Sequence, residues 1–345
     1  MQKDKRIVIV GAGIIGAACA FWLNKYTDFK IIILEKSAVA SGTTHYSLGL
    51  RNTKVFNPKL LELAENSFNG YEELKKDIPD LPEIRLPISF YFERNKYQKN
   101  QLFIEKYDNS VGKHTAFHSA FEALTDTMET HHSFACLGNA VLVTKKIFDY
   151  VLSKGKSELR ENSLVTGTSN YDDKILVTVN EEYQIGCDKI VYCTGSSTLF
   201  NSEFKSVAAR FRTKKVAFLE LMFKSPGKQG VAYLQDDKAF LVFPQDGKRG
   251  LLSYTSDEWD ITPPFSKLQF NERDAELSGK VLQKYFKPND YEIVSSGIHC
   301  DIYSNDWMPK VISNDNRTFF ITGSSGSGYK YATGLAEILT NKILN

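Results

Sequence analysis

The sequence has few of the features that mark fibrous, secreted or membrane proteins. Ten prolines and 22 glycines in 345 residues exclude a collagen-like or proline-rich chain. The five cysteines are odd in number and form no CxxC pair, which predicts buried free thiols in a reducing cytoplasm and no metal site. The chain has no run of about 18 apolar residues, and its first residues, MQKDKR, lack the apolar core of a signal peptide. We therefore expect neither a membrane span nor export.

An excess of charge of either sign is also missing. The 43 basic and 41 acidic residues leave a formal net charge of +2, which is too weak a field to suggest nucleic acid as a partner. A chain of this length, with 42% hydrophobic residues, suits two modest domains or one large one. The expected partner is a small molecule, and the oligomeric state is left open.

The most informative feature that is present lies near the start of the chain. Residues 6–10 (RIVIV) and 30–35 (KIIILE) are continuous apolar runs, which predicts strands buried on both faces. Between them, Gly11, Gly13 and Gly16 form a G-x-G-x-x-G motif. The first glycine permits a tight turn, the second lets a pyrophosphate approach the backbone, and the third lets helix and strand pack closely. This arrangement predicts a dinucleotide site at the helix N-terminus, with a purely structural turn as the alternative.

An acidic residue follows the second strand at the expected distance. Glu35 stands 19 residues after Gly16. A carboxylate at this position accepts hydrogen bonds from ribose hydroxyls and repels a 2′-phosphate, so NADP is disfavoured. NAD and FAD share this half-site, and other segments must decide between them.

Three further segments favour FAD. They are SGTTHYSLGLRNT (41–53), DKIVYCTGSSTLF (188–200) and FFITGSSGSGYKYATGLAEIL (319–339). The last one reads as a strand that breaks into a glycine-rich turn and enters a helix, which gives a second cradle at the far end of the chain. A cofactor that touches both turns needs a bulky second half.

These segments resemble the FAD-dependent D-amino acid oxidase superfamily, particularly its glycine oxidase and monomeric sarcosine oxidase branch. Thr43-Thr44-His45 matches the family's Ser-Ser-His-like segment, Thr194-Gly195 matches a strand that ends in T-G, and residues 323–330 match G-x-S-G-x-G-[FY]-K. The resemblance implies that FAD is bound, without a covalent bond, by Gly11, Gly13, Gly16, Glu35, Lys36, Thr43, Thr44, His45, Val165, Thr194, Gly195, Gly326, Gly328, Tyr329 and Lys330.

The resemblance and the order of predicted elements imply an α/β fold. A Rossmann-like FAD-binding domain is expected to carry an inserted α+β substrate domain built on an antiparallel sheet. The FAD-binding domain is predicted to comprise residues 1–80, 139–200 and 297–345. The substrate-binding domain is predicted to comprise residues 81–138 and 201–296.

Periodicity predicts the individual elements between these blocks. Helices are expected at residues 58–76, 146–160, 272–286 and 329–344, with partial helix within 99–130. Strands are expected at residues 84–93, 213–223 and 318–322, and a hairpin at 239–255 with its turn at Asp246-Gly247.

Three residues are the candidates for catalysis. Lys330 lies in the first turn of a predicted helix, where the helix dipole disfavours a cation, so its presence suggests a function. A cation there would stabilise the reduced flavin or hold a substrate carboxylate, and a solvated surface lysine is the alternative. The resemblance implies that Arg51 binds the substrate carboxylate, with a structural ion pair as the alternative. It also implies that His45 faces the flavin ring, unless this histidine is structural.

Departures from the family pattern qualify the details. Counting back from Asp306 puts the family's flavin-linked cysteine on His299, one residue before Cys300, so covalent attachment at Cys300 is open but not favoured. Asp301 falls where relatives carry a carboxylate-binding arginine, which argues against a simple amino acid as substrate. Leu252 stands where the sarcosine oxidase branch has a lysine associated with oxygen activation.

The combined interpretation is an enzyme that oxidises the C–N bond of an amine or amino acid to an imine. Flavin reoxidation by oxygen would give hydrogen peroxide. Three alternatives stay open: a flavin dehydrogenase with another electron acceptor, an NAD-dependent dehydrogenase, and a non-catalytic FAD-binding subunit.

Overall fold

The computed structural model describes residues 5–55, 57–93, 128–313 and 315–345. Most of the predicted segment 99–130 lies outside these residues, and its last three belong to a strand. The helices in the described part of the chain are α1 (Ile14–Tyr26), α2 (Leu61–Asp77), α3 (Ala140–Ser153), α4 (Glu272–Tyr285) and α5 (Gly328–Leu344). None of these helices combines the length and the hydropathy that crossing a bilayer requires.

The strands of the described residues form three sheets. They are β1 (Arg6–Val10), β2 (Lys30–Leu34), β3 (Leu50–Arg51), β4 (Glu83–Glu93), β5 (Met128–Gly138), β6 (Ser157–Arg160), β7 (Val165–Tyr171), β8 (Lys174–Val179), β9 (Tyr183–Cys187), β10 (Lys189–Tyr192), β11 (Phe211–Gly227), β12 (Gly230–Leu234), β13 (Ala239–Phe243), β14 (Gly247–Tyr254), β15 (Tyr291–Ser304), β16 (Lys310–Ser313) and β17 (Thr318–Thr322).

The first sheet has six strands in the order β16-β17-β10-β1-β2-β6, all parallel except β16. Successive side chains of a strand point to opposite faces. Ile7 and Ile9 accordingly pack with residues of α1, α3 and α5, while Val8 and Val10 pack against the three-stranded sheet β7-β8-β9. Burial on both faces explains why β1 is a continuous apolar run, and it confirms the predicted α/β sheet.

The second sheet has eight strands in the order β15-β11-β14-β13-β12-β4-β5-β3. Its neighbouring strands are antiparallel except for β12 and β4. On one face, Val281, Leu282 and Tyr285 of α4 join a buried core with residues of β11, β13 and β14. The predicted hairpin 239–255 is confirmed as β13 and β14, with Gly247 at φ +146° after the turn.

The bounds predicted for the helix at 146–160 were wrong. The helix α3 begins at Ala140, because the Asn139 side chain accepts a hydrogen bond from Leu142 N at 3.1 Å and caps the N-terminus. It ends at Ser153, and Gly155, with φ +77°, turns the chain into β6. The sequence carries both signals, a cap residue and a terminal glycine, and the prediction overlooked them.

The other predicted helices and strands are confirmed within four residues at each end. The division into two domains stays a prediction, and its proposed boundary at residue 297 falls inside β15. Because β1, β10 and β17 are parallel, their carboxyl ends lie at one edge of the six-stranded sheet. At this edge the chain enters α1 after β1 and α5 after β17, so both glycine turns are brought there.

Candidate active site

The first glycine turn leaves no room for side chains. Gly11 N donates to Leu34 O at 2.8 Å, and Gly11 has φ +104°, a region that side chains disfavour. A Cβ added to Gly16 would lie 2.0 Å from Gly11 O. Gly13 is the N-cap residue of α1, which has no capping side chain there and no acidic residue in its first turn. This helix end therefore suits an anion such as a pyrophosphate.

The carboxylate of Glu35 faces this turn. Its Oε2 accepts a hydrogen bond from Ala12 N at 2.8 Å, and its Oε1 accepts one from Ser37 N at 3.0 Å. Ser163 N donates to Glu35 O at 2.8 Å, which brings the segment just before Val165 beside the end of β2. The segment that leads into Val165 thus lies beside Glu35, and Lys36, the residue after Glu35, is exposed. Their contact with a nucleotide stays a prediction.

The Thr43–Tyr46 turn lies across the start of α1. Thr44 Oγ1 accepts a hydrogen bond from Ile14 N at 3.0 Å, and it would lie 3.0 Å from a Cβ added to Gly13. Thr43 Oγ1 donates to Cys300 O at 3.2 Å. The two threonines therefore link the glycine turn to β15.

Two histidines lie on the same side of this turn. His299 Nε2 is 2.7 Å from Thr43 Oγ1, and its ring stacks on Tyr46 with 4.9 Å between centroids. Burial, together with electrostatic repulsion from Lys36 and His45, lowers the pKa of His299 to about 4, so the ring of His299 is neutral at physiological pH. His45 is exposed and touches Tyr46 edge-on, and its predicted place beside the flavin stays a prediction.

The turn after β10 meets the first glycine turn. Gly195 has φ +55°, and a Cβ there would lie 3.5 Å from Thr43 Oγ1. A Cβ added to Gly11 would lie 2.5 Å from Cys193 O. Thr194 Oγ1 is 2.8 Å from Thr198 Oγ1, which fixes its side chain beside this turn. Thr194 and Gly195 thus lie at the same edge of the six-stranded sheet as the first glycine turn.

The C-terminal glycine turn is held by a buried carboxylate. Gly326, at φ +82°, donates its backbone N–H to Asp301 Oδ2 at 2.8 Å. Asp301 Oδ1 accepts a second hydrogen bond, from Ile302 N at 2.8 Å, and burial raises the pKa of this carboxyl. Both oxygens of Asp301 thus hold backbone groups, and Asp301 supports the turn. Its consequence for the substrate stays a prediction. Ser327 is the N-cap residue of α5, which begins at Gly328, and the Ser327 side chain makes no capping hydrogen bond.

Arg51 does not have the free guanidinium that a substrate ligand needs. Its side chain is 1% exposed, with Nε 3.0 Å from Glu83 Oε1, Nη2 2.7 Å from Glu83 Oε2 and Nη2 2.8 Å from Glu72 Oε1. The guanidinium also lies over the rings of Phe68 and Tyr71, at 4.7 and 4.6 Å. Nη1 has no hydrogen-bond partner among the described residues, but two carboxylates already compensate the charge. The structural ion pair, the alternative at Arg51, replaces the substrate role.

The side chain of Tyr329 turns away from the glycine turns and into this ion-pair network. Its OH donates to Glu83 Oε1 at 2.7 Å, and its ring stacks on Tyr71 at 5.3 Å. Tyr71 OH donates to Tyr329 O at 2.6 Å. Only the backbone of Tyr329 is therefore placed to contact a cofactor at the glycine turn. Glu83, which the sequence analysis missed, is the residue through which β4 fixes the first turn of α5.

Lys330, the next residue, has only neutral acceptors. Its Nζ donates to Asn52 Oδ1 at 3.2 Å and to the backbone oxygen of Lys54. Burial lowers the pKa of Lys330 to about 7, and the helix N-terminus acts in the same direction. Near neutral pH this amine can therefore both release and accept a proton.

Cys300 and Leu252, the two other departures from the family pattern, have side chains that lie away from the glycine turns. Cys300 is fully buried and adjacent in β15 to His299, so its side chain points to the opposite face of the strand. Burial raises the pKa of its thiol to about 12, which keeps it protonated. Leu252 is 1% exposed within the core that α4 covers, so it says nothing about oxygen.

The geometry fits FAD. Two glycine turns, each opening a helix whose N-cap residue makes no side-chain cap, meet at one sheet edge, and a carboxylate stands beside the first. The DAO family, described as FAD dependent oxidoreductase, matches residues 6–342. The chain belongs to this family. The two glycine turns are the parts of the described chain that would hold FAD.

Solved structures share the fold over nearly the whole chain at low identity. Glycine oxidase from Bacillus cereus superposes with a TM-score of 0.76 at 16% identity, covering 99% of this chain and 97% of that one. Iminodiacetate oxidase from Chelativorans sp. gives 0.76 at 14%, covering 98% and 95%. L-proline dehydrogenase from P. horikoshii gives 0.75 at 14%, covering 99% and 93%.

One curated relative adds a local match. An oxidoreductase of Schizosaccharomyces pombe is 30% identical over 79 residues, which are 21% of this chain and 21% of that protein. The matching portion thus spans about a fifth of that relative's length.

Proposed function

We propose that this FAD-dependent oxidoreductase oxidises the C–N bond of a small amine or amino acid. One hydrogen leaves carbon and one leaves nitrogen, and the substrate becomes an imine. Oxygen takes the two electrons and two protons overall and becomes hydrogen peroxide. The observation that carries the proposal is Lys330, which lies beside the second glycine turn and whose amine has a pKa of about 7. Two proteins of similar structure, a glycine oxidase and an iminodiacetate oxidase, support the same bond.

The need for such an amine follows from the substrate. An aliphatic amine is protonated at neutral pH, and its nitrogen must lose that proton before its lone pair can help expel a hydride from the neighbouring carbon. Lys330 Nζ, with a pKa of about 7, is suited to accept this proton, because a general base works best near the ambient pH. Bound FAD supplies the two-electron acceptor, and the protein supplies position and proton transfer.

The neighbours of Lys330 keep it in place for this role. Asn52 Oδ1 and the Lys54 carbonyl accept its hydrogen bonds without adding a negative charge that would raise its pKa. The Tyr329–Glu83 hydrogen bond fixes the turn of α5 that carries it. The Lys330 side chain thus has a defined position and an unneutralised nitrogen.

The test is anaerobic mixing of the purified, FAD-loaded protein with a panel of amines, amino acids and matching hydroxy acids. We expect bleaching of the flavin band near about 450 nm with an amine and none with its hydroxy analogue. Lys330→Met should slow the bleaching by about 10²- to 10⁴-fold. Lys342→Met, which changes an exposed lysine in the last turn of the same helix, serves as the matched control.

Two results would contradict the proposal. Bleaching by hydroxy acids alone would move the reaction from C–N to C–O bonds. A protein that binds FAD but is reduced by no compound of the panel would agree with a non-catalytic subunit. Admission of oxygen to the reduced protein tests the acceptor: rapid return of the band with hydrogen peroxide supports an oxidase, and persistence of the bleached form supports a dehydrogenase.

A further inference from the structure

One face of the eight-stranded sheet carries contacts to both glycine turns. His299 and Asp301 lie two residues apart on β15, so their side chains project from the same face. Asp301 Oδ2 accepts the hydrogen bond of Gly326 N in the second turn, and His299 Nε2 is 2.7 Å from Thr43 Oγ1 beside the first. The opposite face of the sheet packs against α4. The face of His299 and Asp301 is therefore the one that meets the cofactor turns.

The strand register places a serine between two phenylalanines on this face. Gly297, two residues before His299, is opposite Phe218 of β11. Phe218 is opposite Ser253 of β14, and Ser253 is opposite Phe240 of β13. Directly opposed residues of an antiparallel pair project from the same face, so these three side chains form a row across three strands. Along the strand direction, the row lies two residues, or about 7 Å, from the level of His299.

Both phenylalanine rings lean away from the serine between them. The Phe218 ring covers Gly297, where an added Cβ would lie 2.0 Å from Phe218 Cε1. The Phe240 ring packs against Tyr233 of β12, with 4.4 Å between the ring centroids. Because neighbouring strands are about 4.8 Å apart, the backbones of the two phenylalanines are separated by about 10 Å. The row thus forms a slot with Ser253 as its floor and aromatic rings as its two sides, which we call the aromatic slot.

The aromatic slot is apolar and partly open to solvent. Its three side chains are half-buried, whereas Tyr233 and Phe90, which continue the row, are buried. The one acidic residue of β11, Glu220, is paired with Arg249 Nε at 2.6 Å and accepts a hydrogen bond from Ser295. A flat apolar group suits this slot, because a ring bound between aromatic side chains gains both apolar burial and ring contacts.

We propose that the aromatic slot binds an aromatic side group of the substrate. The substrate is then an amine with a large side chain, not one of the size of glycine. This inference rests on the proposed function and names the substrate class of that same site. The slot shares its sheet face with His299 and Asp301, which contact the two cofactor turns, so it lies beside the place where the reacting carbon would be held.

The first experiment measures binding to the FAD-loaded protein without turnover. The probes are phenylacetamide, which has a phenyl ring but no oxidisable amine, and acetamide, which lacks the ring. We expect phenylacetamide to bind about tenfold more tightly or better, by isothermal titration calorimetry and by the change in the flavin band. Ser253→Leu, which fills the floor of the slot, should raise the phenylacetamide Kd about 10- to 100-fold. Ser169→Leu, the same change at an exposed position of β7, should leave this Kd unchanged.

Kinetics with matched substrates supply the second readout. The pairs are phenylalanine and alanine, in both configurations, and 2-phenylethylamine and ethylamine. In each pair that reduces the flavin, we expect the phenyl compound to have a kcat/KM about 10- to 100-fold higher. Ser253→Leu should reduce this ratio about tenfold or more, and Phe240→Leu, which replaces an aromatic side of the slot with an apolar one, should reduce it less. Equal kcat/KM values within the pairs, or a ratio that Ser253→Leu does not change, would overturn the inference.

The two proposals fail in distinguishable ways. Flavin reduction by amines without a preference for the phenyl compound contradicts the aromatic slot and leaves the proposed function intact. Phenylacetamide binding that Ser253→Leu weakens, in a protein that no amine reduces, contradicts the proposed function while supporting the slot. Phenylacetamide that binds no better than acetamide contradicts the slot whatever the kinetics show. Flavin content and far-UV circular dichroism of each variant show whether it is folded and loaded.

Discussion

The buried ion pair between Arg51 and Glu83 yields a stability prediction whose size can be worked out. Both side chains are inaccessible, at 1% and 0% exposure, and two of the Arg51 nitrogens contact the carboxylate. Glu83→Gln keeps the shape of the side chain and its ability to accept from Tyr329, but it removes the negative charge. The guanidinium then remains buried with the carboxylate of Glu72 as its only strong compensation within the described residues.

Removing one partner of a buried pair costs about 3–5 kcal/mol. The Glu72 side chain is 46% exposed, so its attraction is screened by solvent and offsets only part of this loss. We therefore expect Glu83→Gln to lower the free energy of unfolding at pH 7 by about 3 kcal/mol. Glu72→Gln, the matched control, should cost less than about 1 kcal/mol.

Urea unfolding followed by circular dichroism measures both variants, and pH gives an internal check. Hydrogen bonds and charge from Arg51 outweigh burial and lower the pKa of Glu83. Its contribution is therefore present above its unfolded pKa of about 4.3 and is lost as pH falls through the folded value. The difference between wild type and Glu83→Gln should accordingly shrink on acidification.

A loss at pH 7 no larger than that of Glu72→Gln would refute this reasoning, as would a difference that stays constant down to low pH. The double variant Arg51→Met/Glu83→Met provides a second check. It removes both charges and should recover most of the stability, because no unpaired charge remains buried.

The remaining predictions concern the cofactor turns and Lys330. The rate constant of flavin reduction at saturating amine should fall about tenfold per pH unit below about pH 7, because protonated Lys330 cannot accept a proton. In stopped-flow measurements of Lys330→Met, the rate constant should not show this decrease at low pH. Gly16→Ala should lose FAD on gel filtration, because its Cβ would lie 2.0 Å from a backbone oxygen, whereas Gly42→Ala, with nothing within 4 Å, should keep it; equal retention would contradict the tight turn. Asp301→Leu leaves Gly326 N without its acceptor and should cost about 1–3 kcal/mol in a denaturation assay, and Asp301→Asn should behave closer to wild type.

Local sequence patterns predicted the nucleotide turn and the buried sheet well. The positions of Gly11 and Gly16 follow from backbone sterics within a few residues of chain, so they can be read without knowing the fold. The apolar run of β1 likewise reports burial on both faces. The bounds of α3 failed only because Asn139 and Gly155 were overlooked, although both signals are local.

The partners of charged residues could not be predicted in this way. Arg51 is separated from Glu83 by 32 positions, and Gly326 from Asp301 by 25, so nothing local indicates that they meet. Counting residues placed Asp301 on the face of the cofactor turns but gave no indication that it holds Gly326 N. Lys214 and Lys215 of β11 look equivalent in the sequence. Only the surrounding structure pairs Lys215 with two carboxylates and places Lys214 over an aromatic ring.

The sequence by itself thus predicted a dinucleotide site and determined where the two glycine turns lie, because turn geometry and strand burial depend on neighbouring residues. The tertiary structure alone decided which cations stay uncompensated near those turns. That decision depends on carboxylates brought from distant parts of the chain, which neutralise Arg51 and leave Lys330 with neutral acceptors.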